Sequence, residues 1–152
     1  MAQYLEDFIP AMRYNGFNTA LPMVGPSLST SGAQLTTGPA VSGYDTGAGG
    51  AVTQITNSAT AVTLNKPCGQ ITTVALTTAA AAEEAFVVNN SLVSATDVVV
   101  VSTTYAGGGK PVVFVTNVGA GVFTVNISNV HASAALDAVV VINFAVINAV
   151  AA

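Results

Sequence analysis

A chain of 152 residues is long enough for one packed domain; this one is 51% apolar and only 7% charged, with three Lys/Arg against seven Asp/Glu. Soluble domains usually carry about 25% charged residues, so Thr, Ser, Asn and Gly are expected to supply the polar surface, with much of the rest facing protein. The scattered Arg13, Lys66 and Lys110 exclude the clustered basic patch that nucleic-acid binding needs, and the single cysteine, Cys68, excludes an internal disulfide.

The opening "MAQYLEDFIPAMRYNGF" has no basic n-region, and Glu6, Asp7 and Pro10 interrupt its apolar residues, so it does not read as a secretory signal. Synthesis in a cytoplasm is the expectation. Tyr4, Leu5, Phe8, Ile9 and Met12 follow a helical spacing that Pro10 breaks, leaving at most one turn. Residues 1–47 hold four of the six prolines and no sustained period. They read as an irregular, extended N-terminal arm whose aromatic and aliphatic residues become ordered on a partner surface. "GYDTGAGGAV", residues 43–52, marks the hinge to a domain over 48–152.

Beyond the hinge, Val-, Thr- and Ile-rich segments alternate with turn formers. The expected strands are 51–56, 60–65, 69–76, 85–89, 97–104, 111–118, 121–128 and 138–148. In "GVFTVNIS" the residues Phe123, Val125 and Ile127 share one face and Val122, Thr124, Asn126 and Ser128 the other, as on a half-buried strand. "DVVVVS" and "AVVVINFAVI" are apolar on both faces, which places them inside a sandwich or beneath a neighbouring subunit. The latter stretch is too short for a membrane-spanning helix of about 20 residues. "TTAAAAEEA", residues 77–85, is open to a short helix or a loop. The fold class is all-β, a jelly-roll-like or two-sheet β-sandwich preceded by the arm.

Chemistry is sparse. Cys68 and His131 are the one nucleophile-and-base combination, and they fall in separate turns. Cys68 in "TLNKPCGQIT" reads as a small buried side chain at a strand start, with Pro67 and Gly69 bracketing a reversal; His131 reads as lining or capping a surface turn. Two N/S ligands are too few for zinc, and no acidic loop has calcium spacing. Glu83 and Glu84 are adjacent, so on a strand they face opposite ways. "AGGGK" lacks the Ser or Thr of a phosphate loop and reads as a flexible hairpin turn. No catalytic, cofactor or metal residue is assigned, and a structural or binding protein is expected rather than an enzyme.

"AVTQITNSATAVTLNKPCGQITT", "TDVVVVS" and "FTVNISNVHASAALDAVVVINFAVI" together resemble a module of tailed-phage and prophage virion structural proteins, some of which decorate capsids. The resemblance covers about residues 50–148. It implies a capsid cement or decoration protein on the outer surface of the head, at capsomer junctions. Its partner would be the major capsid protein, its own assembly a homotrimer, its location the virion. No cofactor, nucleic acid or membrane is implied. On this reading the arm residues Tyr4, Phe8, Tyr14, Phe17 and Leu21 lie across capsid subunits. The alternative is a head-fibre or tail-associated module that binds a host surface.

Overall fold

In a computed structural model of the protein, residues 43–44 and 47–150 are described. The arm residues Tyr4, Phe8, Tyr14, Phe17 and Leu21 lie outside them. Eight strands follow in chain order: β1 (Gly49–Thr53), β2 (Val62–Thr63), β3 (Cys68–Thr72), β4 (Glu83–Asn89), β5 (Val98–Tyr105), β6 (Pro111–Gly119), β7 (Val122–Asn129) and β8 (Val140–Ile147). Each overlaps one segment expected from the Val/Thr/Ile pattern. Residues 77–82 form a loop rather than a helix, and β4 begins at Glu83.

The strands form two four-stranded sheets, ordered β1-β3-β8-β5 and β2-β4-β7-β6. We call them the β8 sheet and the β7 sheet after their longest interior strands. Pairing is antiparallel except at β1/β3 and β2/β4, where it is parallel. The architecture is therefore a two-sheet β-sandwich of mixed sheets. Only the β6–β7 connection stays within its sheet; every other link crosses between the layers. The β6–β7 turn closes through Gly121, whose φ of +78° is a left-handed conformation that favours glycine.

Alternation explains the core. Inward residues of β8 (Val140, Ile142, Phe144, Val146) meet those of β7 (Phe123, Val125, Ile127), with Ile71, Phe86 and Val88 beside them. The rings of Phe123 and Phe144 join the two layers at 5.5 Å between centroids, tilted by 55°, a geometry worth about 0.5–1.5 kcal/mol beyond area burial. Each such large side chain contributes about 1.5–3 kcal/mol of transfer free energy when fully buried. The doubly apolar β8 lies between β3 and β5, as a strand with few polar positions should.

Two sequence readings need correction. "TLNKPCGQIT" is not a reversal within one sheet: Thr63 belongs to the β7 sheet and Cys68 to the β8 sheet, so the stretch crosses the sandwich. "AGGGK" likewise is not a hairpin turn, because β5 and β6 lie in different sheets.

Candidate functional site

The inward alternation of β4 and β7 runs on into asparagine at opposite ends of the sandwich. Asn90 follows β4 and Asn129 ends β7, and both are fully buried. A buried amide must find partners or cost about 1–3 kcal/mol per unmet group. Asn129 Nδ2 donates to the carbonyls of Thr78 (3.1 Å), Ala79 (3.1 Å) and Ala134 (2.8 Å). Its Oδ1 accepts from the Lys110 and His131 N–H groups at 3.0 and 3.1 Å. One side chain thus joins the β3–β4, β5–β6 and β7–β8 loops. At the other end Asn90 Nδ2 donates to Lys66 O (2.7 Å) and Oδ1 accepts from Leu92 N (3.1 Å). Asp97 completes that end, accepting from Ser94 N, Asn148 Nδ2 and Ala149 N.

The Lys-Pro-Cys stretch shows how the cross-over joins β8. Val146 N–H donates to Pro67 O at 2.8 Å. In an antiparallel ladder such a pair exchanges two bonds, and the second would run from the residue-67 N–H to Val146 O. Proline has no N–H. The Tyr44 hydroxyl takes over, donating to Val146 O. Burial raises the Tyr44 pKa above its ordinary value, with electrostatic contributions from Cys68 and then Asp97 adding to it. Leu64 packs over Gly50 and Gly69; a Cβ on Gly69 would sit 2.6 Å from Leu64 Cδ2 and 2.7 Å from Gly50 O. Glycine is required there by close approach rather than by φ.

Cys68 begins β3, as expected, but is half-buried rather than buried and faces outward beside Gly49. His131 caps its turn: Nδ1 accepts from Ser133 N (3.1 Å) and Ala134 N (2.8 Å). Since Cys68 belongs to the Tyr44 end and His131 to the Asn129 end, the sandwich does not bring them together. Glu83 is exposed while Glu84 turns inward and accepts from Thr78 Oγ1. The Gly107–Gly109 loop is held by its neighbours. Gly108 N–H donates to Asp137 Oδ1 at 2.6 Å, Tyr105 Oη donates to Gly108 O, and Tyr105 Oη accepts from Asp137 N at 2.9 Å. The glycine N–H that a phosphate loop would offer to a ligand is used on the protein's own carboxylate. Among the described residues no three His, Cys, Asp or Glu side chains cluster to hold a metal ion, and no helix is long and apolar enough to cross a membrane.

What remains is surface. The outer face of the β8 sheet consists of Gly49, Ala51 and Thr53 on β1; Cys68, Gln70 and Thr72 on β3; Val141, Asn143, Ala145 and Ile147 on β8; and Val98, Val100, Ser102 and Thr104 on β5. None is charged. Gln70 Nε2 donates to Asn143 Oδ1 across its centre at 3.1 Å. The outer face of the β7 sheet has one charge, Glu83, and exposes Val87, Val112 and Phe114. The other described Lys, Asp, Glu and His residues lie in end loops, apart from the inward Glu84. Low charge was legible in the composition; its confinement to the ends was not, because that depends on which strand faces solvent.

No family model, no curated protein and no solved structure matches this chain.

Proposed function

We propose that the protein is a phage capsid decoration protein that binds the outer surface of the head through a broad sheet face and stabilises it by adding buried contacts with the major capsid protein. The observation that carries this reading is the uncharged outer face of the β8 sheet. Charge is depleted at the core of protein–protein interfaces, and a face without ions avoids the large cost of desolvating an unpaired charge. The resemblance of residues 50–148 to virion structural modules supplies the partner. In the described part, Tyr105 is bonded into the glycine loop, so it does not favour a host-binding tip.

The test places charge at the centre of the face. Gln70→Lys with Asn143→Lys alters two exposed side chains and should leave folding intact. Purified heads lacking the protein are mixed with either form, pelleted, and heated. The expected result is that the unaltered protein co-sediments and raises the temperature at which heads open, while the double variant does neither. Heads that resist heat equally well without the protein, or that bind the variant as tightly, would overturn the reading.

A further inference from the structure

The four sheet edges are β1 and β5 in one layer and β2 and β6 in the other. An edge strand presents unpaired N–H and C=O groups and templates pairing with another chain unless it is short, charged, bulged, proline-bearing or covered. Two of the four are defended and a third is weakened by glycine. β2 has two residues, and β1 has five, two of them glycine. β6 starts with Pro111, its register shifts between Thr116 and Gly119, and Asn117 adopts a left-handed φ of 53°.

Among the described residues β5 has none of these devices. Its eight residues, Val-Val-Val-Val-Ser-Thr-Thr-Tyr, include no charge, proline or glycine, and its pairing with β8 is regular along its whole length. The two carboxylates that flank it are committed elsewhere. Asp97 is buried in bonds to Ser94, Asn148 and Ala149, and Asp137 binds the glycine loop. The free groups can be identified. Val146 and Val140 bond toward β3, so by alternation Val141, Asn143, Ala145 and Ile147 bond toward β5. Their β5 partners are Thr104, Ser102, Val100 and Val98. The N–H and C=O groups of Val99, Val101 and Thr103 therefore face away from the sheet, and no described residue bonds to them. Beside them Val98 and Val100 are 51% and 50% exposed on the outer face.

We propose that β5 is the self-association strand: two copies of this chain pair their β5 edges antiparallel about a two-fold axis at Val101, joining two four-stranded β8 sheets into one continuous sheet. The strand suits itself as a partner. Val101 pairs with Val101 of the partner subunit, and Val99 with Thr103 of the partner subunit, so each outward group between Val99 and Thr103 gains a partner. On the outer face Val100 meets Ser102 of the partner subunit. Nothing charged opposes anything charged, so the isologous arrangement carries no repulsion. A two-fold pair replaces the threefold assembly expected from the resemblance, and this inference stands independently of the capsid reading.

The test uses the full chain. Sedimentation velocity over a concentration series should show monomer giving way to dimer and stopping there. Val100→Lys with Ser102→Lys puts like charges opposite one another twice across the axis and should weaken the dimer roughly tenfold or more. Val112→Lys, on the outer face of β6, should leave the mass unchanged. Amide exchange on the unsubstituted protein is the second measurement, and it does not depend on any variant folding. The Val99, Val101 and Thr103 N–H groups should exchange more slowly as the dimer fills. A monomer at every concentration, a trimer, dissociation by the β6 variant instead of the β5 variant, or concentration-independent exchange at these three amides would each overturn the proposal.

Discussion

The two ends of the sandwich solve one problem in different ways. Both must close a layer gap with loops that carry buried backbone polar groups. At the Asn129 end a single fully buried amide joins three loops through five hydrogen bonds; further out, Tyr105 and Asp137 tie the glycine loop to the β7–β8 connection and His131 holds its own turn. At the Asn90 end the work is divided among Asn90, Asp97 and Tyr44, each holding a different segment. The first arrangement is concentrated and the second distributed, so single substitutions should separate them.

The largest effect is expected from Asn129→Ala. It removes the partner of the Ala134 carbonyl and of the Lys110 and His131 N–H groups around a fully buried position, while Thr78 O and Ala79 O keep their backbone donors Leu136 N and Ala82 N; it should cost about 3 kcal/mol, read as a drop in the denaturant midpoint. A loss equal to that of Asn90→Ala would show that this end does not depend on one side chain. Asn90→Ala and Asp97→Ala should each cost about 2 kcal/mol, and near-additive losses in the double variant would show that the distributed end has independent supports. Gly69→Ala forces a Cβ against Leu64 and the Gly50 carbonyl. A cost of about 1.5 kcal/mol is expected, with Leu64→Ala restoring part of it by making room.

The smallest effect belongs to Tyr44→Phe. Tyr44 is partly exposed, so water can replace its hydroxyl at Val146 O, and the loss should stay below about 1 kcal/mol. Its pH dependence is more telling. The folded protein holds the phenol proton more tightly than the unfolded chain, since burial and then Cys68 and Asp97 raise its pKa above 10.0. Folded molecules therefore bind more protons than unfolded ones only above that value, and stability is unaffected below it and falls as pH rises beyond it. Tyr44→Phe should remove that part of the alkaline decline; an unchanged alkaline profile would show that the hydroxyl is not coupled to folding.

Much of the sandwich was legible because alternation is a local property. Phe123, Val125 and Ile127 must share a face on any extended backbone, and the β-branched runs around them are bounded by turn formers. The reversal read into "TLNKPCGQIT" failed for a physical reason: Pro67 and Gly69 signal a change of direction but not which layer receives the chain. The expected burial of Cys68 failed for a different reason, one of parity: Ile71, three positions on, takes the inward face, so Cys68 on the same strand must face outward. Asn90 and Asn129 had one readable signal, each continuing the inward alternation of its strand with a polar residue. Asn126, on the opposite phase, shows that asparagine alone does not mark such a position.

Residue pattern alone dictates that this chain forms short strands, that their apolar faces require two layers, and that little charge is available for any surface. Strand order, the two parallel edge pairs and the crossing of nearly every link were decided only in three dimensions, because they depend on pairings between distant residues such as Cys68 with Ala145. The same holds for Tyr44 at Val146 O, separated by 102 positions. Proline removes a donor wherever it stands, but only the folded sheet shows which carbonyl is left waiting and which side chain is near enough to fill the gap.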